Sequence, residues 1–169
     1  MTAPVTTDLI KQLRELTGAG VMDCKRALEE AGGDLAKAQK IIERQGIARA
    51  EKRAGREARQ GVIEAYVHQG RIGAMVEVNC ETDFVARTDD FRQLARHLAQ
   101  QIASMSPKYL SREEIPAGSD EDPAQVALLE QPFIRDPSKT IGQLVTEVSA
   151  RTGEKVAVRR FVRYELGKE

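Results

Sequence analysis

The N-terminal quarter of the chain places apolar side chains at the three- and four-residue spacing of amphipathic helices. Thr7 and Asp34 have side chains suited to cap the first and third of these helices. The glycines at Gly18–Gly20, Gly32–Gly33 and Gly46 are expected to end the helices, because glycine accepts the left-handed backbone that follows many of them. The pattern predicts three short helices, in a bundle so small that it would be only marginally stable alone.

The period of the apolar pattern changes at Gly61 to two residues. Apolar and polar side chains alternate over residues 61–68 and 74–80, with a turn at Gln69–Arg71 between them, which predicts a β-hairpin. The row expected to face inward from the second strand comprises Ala74, Val76, Val78 and Cys80.

Helical spacing returns after the hairpin. A helix is predicted from Thr88, with an apolar stripe formed by Phe91, Leu94, Leu98 and Ile102. Acidic residues, prolines and a glycine predict a loop at 112–123 and then a short helix at about 123–130. A further helix ends at Gly153, and residues 156–166 predict a final strand because they are rich in β-branched and aromatic side chains.

These elements predict an α+β fold. An N-terminal three-helix domain precedes a small antiparallel three-stranded sheet with helices packed on one of its sides. We assign residues 1–48 to the three-helix domain, 49–60 to a basic helical linker and 61–169 to the core. The linker is rich in arginine and lacks an apolar stripe, so we interpret it as a solvated helix.

The composition narrows the possible surroundings and partners. The chain has 26 basic and 26 acidic residues, so its net charge does not indicate a dedicated nucleic-acid-binding protein. No apolar run approaches the roughly 20 residues that span a membrane. The segment Met1–Thr7 lacks the pattern of a secretion signal. We therefore expect a cytoplasmic protein without membrane or nucleic-acid partners.

Sequence motifs for catalysis or cofactor binding are not visible. The chain has no G-x-x-x-x-G-K-[ST] loop and no G-x-G-x-x-G after a strand, and its cysteines and histidines lack metal-ligand spacing. Cys24 and Cys80 are expected to be free thiols, with Cys80 a small buried residue. His97 is expected on the surface of its helix. The sequence predicts a protein that is not an enzyme and holds no cofactor or metal.

The segment Asn79–Arg87 places a large aromatic side chain in a polar corner between a strand and a helix. Two interpretations are open. In one, Thr82 or Asp83 caps a helical turn while Phe84 folds back into the core, as apolar side chains usually do. In the other, Phe84 is an exposed wedge that enters a partner's pocket, like the aromatic residues that dominate many interfaces. Composition does not decide between them.

Two long segments resemble the elongation factor Ts family. Leu13–Leu28 is similar to the family's N-terminal signature, except that Val21 stands where a methionine is common. Val76–Arg87 is similar to its central motif. Shorter similar stretches are Tyr66–Gly73, Gln131–Ile134 and Pro137–Leu144. The acidic loop near 112–123 resembles the family least.

The resemblance implies a fold and an assembly. Residues 1–48 would be a UBA-like (ubiquitin-associated-like) domain, and the remainder would be the family's core. Many members have two core subdomains and a protruding helical hairpin, whereas this chain has room for one subdomain and no hairpin. It resembles the short form of the family, for which we expect a homodimer that pairs through the sheets.

The resemblance also implies guanine-nucleotide exchange on elongation factor Tu, the GTPase that holds GDP with Mg²⁺ during translation elongation. By motif, Asp83 and Phe84 would intrude into the nucleotide-binding domain of that GTPase and disturb its magnesium and phosphate sites. Thr82 would set the corner and Val85 would anchor it. The other positions that would touch the partner are Arg14, Val21, Met22 and His68.

Several of these features have other interpretations. Met22 could lie in the core of the helical bundle, and His68 could be an exposed strand residue without a partner. The three-helix domain and basic linker could form a UBA-like adaptor or RNA-binding module without exchange activity, although Phe84 would then have no role. An enzyme that uses Cys24 or Cys80 is a further alternative.

Overall fold

The computed structural model describes residues 4–169 and begins with three helices. They are α1 (Thr7–Thr17), α2 (Val21–Glu30) and α3 (Leu35–Lys52). Asp34 caps α3 as predicted, by accepting a hydrogen bond from the N–H of Lys37, whereas α1 is capped by Thr6 and not by Thr7. Residues 1–3, part of the stretch in which no secretion signal is visible, lie outside the described residues.

The prediction that α3 ends at Gly46 is wrong, because the helix continues through this glycine to Lys52. A Cβ at position 46 would lie 2.9 Å from the Cβ of Ala150 in a later helix, which is too close for two carbon atoms. The glycine therefore allows two helices to approach each other closely and does not terminate either of them.

The segment predicted as a solvated helical linker is helical only as far as Lys52. Residues 53–59 are turns and irregular backbone that lead into the first strand. Its arginines also bind within the chain: Arg49 pairs with Asp23 (3.0 Å), and Arg53 donates to the carbonyl oxygen of Ser149 (3.1 Å). The segment therefore connects the N-terminal helices to the core through specific contacts.

The predicted hairpin and the distant final strand belong to one antiparallel sheet. The strands of the chain are β1 (Gln60–His68), β2 (Ile72–Cys80), β3 (Pro132–Phe133), β4 (Asp136–Thr140) and β5 (Ala157–Glu165). The three-stranded sheet has the order β1-β2-β5, so β2 is its central strand, while β3 and β4 form a separate pair. The predicted α+β class is confirmed.

Helices cover one side of the three-stranded sheet. The helices after β2 are α4 (Asp83–Ala86), α5 (Asp89–Met105), α6 (Pro123–Val126) and α7 (Ile141–Thr152). Thr88 caps α5, whose apolar stripe packs in the same core as the predicted inward row of β2. Thr140 and Gln143 form a capping box at the start of α7, and Gly153 ends that helix as predicted.

Residues 4–169 form two hydrophobic cores. The larger lies between the sheet and its helices, and the smaller lies within α1–α3. The other side of the sheet is open to solvent and carries large apolar side chains from all three strands. Among residues 4–169, no helix is both long enough and apolar enough to cross a membrane.

Candidate functional site

Phe84 lies on a sharp corner between the central strand β2 and helix α5. The corner consists of Glu81, Thr82 and the one-turn helix α4, which Thr82 caps by accepting a hydrogen bond from the N–H of Val85 (3.4 Å). Phe84 does not fold back into the core, because 78% of it is exposed. Of the two positions that the sequence allowed for this ring, the exposed one is observed.

The residues that follow Phe84 fix α4 to the large core. Val85 packs against the core and Ala86 is buried within it. The N–H of Arg87 closes the turn by donating to the carbonyl of Asp83 (3.2 Å). The carboxylate of Asp83 stays near the surface, where the guanidinium of Arg87 pairs with it (3.1 Å). An exposed aromatic ring therefore stands on a turn whose next residues are anchored.

A carboxylate from a distant part of the chain binds the other side of the corner. Glu154 lies in the turn between α7 and β5 and accepts three hydrogen bonds from the corner. Its Oε2 accepts from the backbone N–H groups of Glu81 and Thr82 (both 3.0 Å), and its Oε1 accepts from the hydroxyl of Thr82 (2.6 Å). Because the same hydroxyl oxygen caps α4, Thr82 links the carboxylate to the helix that carries Phe84.

Glu81 makes the reverse contact with the same turn. Its carboxylate accepts from the N–H of Lys155 (2.7 Å) and from the guanidinium of Arg56 (3.4 Å). The hydrogen bond from Lys155, aided by the charge of Arg56, holds the pKa of Glu81 below its usual value. The Lys155 ammonium also donates to the carbonyl of Arg56 (2.8 Å). The corner is therefore tied both to the turn after α7 and to the segment after α3.

A second group of residues expected to bind the partner lies where α1 meets α2. Met22 is 62% exposed in the first turn of α2, so the interpretation that places it in the bundle core is wrong. Val21 is exposed beside it, and Arg14 and Leu16 are exposed near the end of α1. We call Arg14, Leu16, Val21 and Met22 the N-terminal patch.

An ion pair ties the N-terminal patch to α3. The carboxylate of Asp23 accepts from Arg49 of α3 (3.0 Å) and from Arg26 of its own helix (2.7 Å). The hydrogen bond from Arg49 is the main reason that the pKa of Asp23 lies below its usual value. Cys24, the next residue, is fully buried in the smaller core.

His68 lies at the end of β1, on a different element from both groups. It is exposed, and its Nδ1 is 2.9 Å from the hydroxyl oxygen of Tyr66. Side chains two residues apart on a strand share a face, and Tyr66 packs against the large core. His68 is therefore on the helix side of the sheet and not on its open face.

The two cysteines are buried and unpaired, and neither is poised as a nucleophile. Burial, with the charge of Glu154 nearby, raises the pKa of the Cys80 thiol to about 11. The thiol is therefore protonated at neutral pH, whereas the thiolate is the reactive form. Its Sγ donates to the carbonyl of Thr82 (3.1 Å), so Cys80 helps to hold the corner in place.

Neither His97 nor a cleft beside α3 adds a reactive group. His97, expected on the surface, is half-buried because its ring packs on that of Phe133, with 5.3 Å between centroids. Among residues 4–169, no three His, Cys, Asp or Glu side chains form a metal-binding group.

A cleft of about 520 Å³ lies between the α1–α2 turn, α3 and α7, and Lys139 and Glu147 in its wall pair with each other (2.9 Å). The cleft marks the seam between the N-terminal helices and the core.

The structure brings some of the predicted site residues together and leaves others apart. Thr82–Val85 form one corner, whereas Arg14, Val21 and Met22 lie on the N-terminal helices and His68 lies at the end of β1. Glu154 could not be predicted from the sequence, because it lies 72 positions from Thr82 and outside every recognisable motif.

Comparisons with known proteins agree with the motif resemblance. The family model described as elongation factor TS matches residues 5–124 and 120–168. Elongation factor Ts of Carboxydothermus hydrogenoformans is 48% identical over an alignment of 194 positions. The alignment covers 96% of this chain and 89% of that protein. Its counterparts in Coprothermobacter proteolyticus and Thermotoga maritima are 47% and 46% identical, over 96% of this chain and over 98% and 96% of their own lengths. The aligned lengths exceed the 169 residues of this chain, so these relatives have residues that it lacks.

Proposed function

The chain belongs to the elongation factor Ts family, and we propose that Phe84 is the side chain with which it opens the nucleotide site of elongation factor Tu. Members of the family are guanine-nucleotide exchange factors for elongation factor Tu, are cytoplasmic, and are not enzymes. The chain spans almost the whole length of several relatives and corresponds to the short form of the family.

Nucleotide exchange depends on differential binding. The factor accelerates GDP release only if it binds the nucleotide-free GTPase more tightly than the GDP-bound one. By linkage, GDP weakens the binding of the factor in the same ratio. Contacts that are equally strong in both forms add affinity but do not expel GDP. Exchange therefore requires a feature that fits the opened nucleotide site better than the closed one.

The exposed Phe84 ring on its anchored corner supplies such a feature, and this is the observation on which the proposal rests. A mobile aromatic side chain could adapt to a closed partner at little cost. A ring on a stiff support can bury itself only where the partner's packed side chains move aside, because protein interiors leave few voids. Burial of an aromatic ring is among the largest contributions that one residue makes to an interface.

In this mechanism, Phe84 enters a pocket between helices of the partner's nucleotide-binding domain. Asp83 brings a negative charge to the same place, close to the Mg²⁺ ligands and the phosphate loop. Displacing the metal removes the charge that offsets the diphosphate, so GDP dissociates faster. Thr82 sets the corner through its cap and its bond to Glu154, and Val85 anchors the corner in the large core.

The other predicted contact residues have a different role in this proposal. Arg14, Val21 and Met22 offer both a charge and exposed apolar area on the N-terminal helices. We assign them to docking on the same nucleotide-binding domain, where they supply affinity without acting on the nucleotide. His68 contacts another domain of the GTPase. Residues 1–48 remain our proposed UBA-like domain, and we assign the docking role to it.

The alternative of a UBA-like adaptor or RNA-binding module loses part of its support. It rested on the three-helix domain and on the positive charges of the basic segment at 49–60, which would have to be free to bind RNA. Three of these side chains instead bind within the chain: Arg49 to Asp23, Arg53 to the carbonyl of Ser149 and Arg56 to Glu81.

Phe84→Ala tests the proposal in a stopped-flow assay with elongation factor Tu that carries fluorescent GDP. Truncation of an aromatic hot spot costs about 2 kcal/mol or more, so we expect roughly thirtyfold less stimulation of GDP release. The variant should fold normally because the ring is exposed, and circular dichroism and thermal unfolding check this. Ile134→Ala is the matched control, since it removes another exposed apolar side chain, between β3 and β4. Undiminished stimulation by Phe84→Ala would refute the wedge.

We propose further that two copies of the chain pair through the open face of the sheet. Ala65, Met75 and Val162 are direct neighbours across the three strands, so the apolar patch is continuous. Its other exposed members are Ile63, Val67 and Tyr164. A patch of this kind on a soluble protein indicates an interface, and the same patch on a second copy is a suitable partner in a two-fold dimer.

Met75→Lys tests the dimer, because Met75 lies on the central strand in the middle of the open face. A lysine there would bury an unpaired charge in the interface. We expect the wild-type protein to have the mass of two chains by light scattering at micromolar concentration, and the variant to have the mass of one. Met105→Lys is the control, since Met105 is exposed at the end of α5. A monomeric wild-type protein with full exchange activity would overturn the dimer.

A further inference from the structure

We propose that Glu154 is a positioning residue for exchange. Its carboxylate fixes the conformation of the corner, so that the Phe84 ring points away from the core in one direction. This role rests on the proposed function of Phe84. Glu154 itself needs no contact with the GTPase. It lies in the turn between α7 and β5, far along the chain from the residues that it orients.

One carboxylate serves three donors of the corner. The donors are two consecutive backbone N–H groups and the hydroxyl of Thr82, all at 2.6–3.0 Å from its oxygens. Hydrogen bonds to an ionised acceptor are shorter and stronger than those between neutral groups. Because all three converge on one planar group, they fix the direction of the peptide that leads into α4.

The turn that carries Glu154 is itself held in place. Gly153 takes the left-handed backbone (φ 74°) that ends α7. The hydroxyl of Ser149 donates to the carbonyl of Glu154 (2.6 Å), and the N–H of Lys155 binds the carboxylate of Glu81. Val156, the next residue, is buried in the large core. Hydrogen bonds therefore attach the corner to a turn that is itself held in place.

Loss of this carboxylate should loosen the corner without unfolding it. The cap from Thr82 and the buried Ala86 would remain and keep α4 in place. The N–H groups of Glu81 and Thr82 would turn towards water, and the Phe84 ring would sample several directions. Ordering the corner on binding would then cost part of the free energy that the ring gains.

Saturation kinetics separate positioning from binding. Stopped-flow GDP release from elongation factor Tu is measured at increasing concentrations of the full chain. Glu154→Ala should lower the maximal rate constant roughly fivefold, because ordering the loosened corner then costs part of the free energy that the ring gains, and should change the half-saturation concentration less than about twofold. The double variant Glu154→Ala/Phe84→Ala should be no slower than Phe84→Ala alone, because Glu154 acts through the ring.

Two milder variants separate the reach of the side chain from its charge. Glu154→Asp keeps the charge but is one methylene shorter, so it should not reach all three donors and should be slow. Glu154→Gln keeps the reach. Its amide oxygen can accept from the two N–H groups and its NH₂ can donate to the Thr82 oxygen, so its rate should approach that of the wild type. These two variants decide the matter even if Glu154→Ala does not fold.

Glu121→Ala is the matched control, because Glu121 also binds three side chains, but in the acidic loop: Lys108, Tyr109 and Ser119. It should release GDP at the wild-type maximal rate. Additive losses in the double variant, or a Glu154→Asp variant as fast as the wild type, would overturn the role of Glu154 and leave the Phe84 wedge in place. A Phe84→Ala variant as fast as the wild type would overturn both.

Discussion

The corner around Phe84 and the N-terminal patch around Met22 expose similar side chains but are supported differently. Phe84 and Met22 are both large apolar residues open to solvent. The corner stands on the larger core and is clasped by Glu154 from the turn after α7. Met22 stands on the N-terminal helices, whose core is much smaller, and an ion pair between Asp23 and Arg49 joins that region to the end of α3.

This difference teaches that exposure and stiffness are separate properties of a binding surface. An exposed apolar side chain on a small, marginally stable domain can adapt to its partner and supply affinity in either nucleotide state. A ring on a clasped corner cannot adapt, so its burial depends on the shape of the partner. We therefore assign affinity to the N-terminal patch and opening of the nucleotide site to the corner.

The largest expected effect comes from Leu13→Ala, which destabilises the helices that carry the N-terminal patch. Leu13 is fully buried in the smaller core, and leucine-to-alanine changes in cores cost about 2–5 kcal/mol. A core of this size has little stability to lose. We expect hydrogen exchange to show loss of protection in α1 and α2, while β1, β2 and β5 stay protected.

Leu16→Ala is the control for this experiment, because Leu16 is exposed on the same helix. It should leave exchange protection unchanged. If Leu13→Ala removed protection equally from the sheet, the two regions would form one cooperative unit and the proposed division of roles would lose its basis.

A smaller effect is expected from pH at the support of the corner. The folded chain raises the pKa of Cys80 from its usual value of 9.0 to about 11. The folded state therefore holds this proton more tightly than the unfolded state, and the stability from the neutral thiol is fully present below pH 9 and lost as pH rises towards 11. The loss should be on the order of 2 kcal/mol at the upper end of this range.

Denaturant unfolding of the wild type and of Cys80→Ala at several pH values isolates this contribution from other titrating groups. The stability advantage of the wild type should shrink between pH 9 and pH 11. A difference that stays constant over this range would contradict the raised pKa. Because both cysteines are fully buried, neither should react with a thiol reagent within minutes in the folded protein at neutral pH.

The smallest expected effect comes from Met22→Ala, which trims the N-terminal patch. An exposed methionine that becomes buried at an interface contributes about 1 kcal/mol on truncation, or a severalfold change in Kd. We expect calorimetry with nucleotide-free elongation factor Tu to show this weakening. Lys25→Ala, an exposed residue on the same helix outside the N-terminal patch, should have no effect. Equal affinities for the wild type and Met22→Ala would remove Met22 from the interface.

Much of the fold was predictable because its local signals are strong. The switch from helical to two-residue periodicity located the hairpin, and Thr88 and Gly153 marked the ends of α5 and α7 where the structure has them. The corner was recognisable from its motif. The exposure of Phe84 was not, because composition favours burial of a phenylalanine and only the packing of Val85 and Ala86 turns the ring outwards.

Apart from the cap of α1, where Thr6 takes the place expected for Thr7, the main errors and omissions share one cause, which is contact between segments far apart in the chain. Gly46 was predicted to end α3, but its small size instead allows α3 to pack against Ala150. Arg53 and Arg56 lie in a segment whose composition predicts a solvated helix, but they bind the carbonyl of Ser149 and the carboxylate of Glu81. Glu154 belongs to the same class, because hydrogen bonds across the tertiary structure leave no periodic signal in the sequence.

The division of roles is tested most directly by GDP release measured to saturation with Phe84→Ala and Met22→Ala in the same stopped-flow experiment. We predict that Phe84→Ala lowers the maximal rate constant roughly thirtyfold. Met22→Ala should leave that constant unchanged and raise only the half-saturation concentration. The opposite pattern, in which Phe84→Ala changes half-saturation alone and full release is restored at high concentration, would contradict the proposal that the corner opens the nucleotide site.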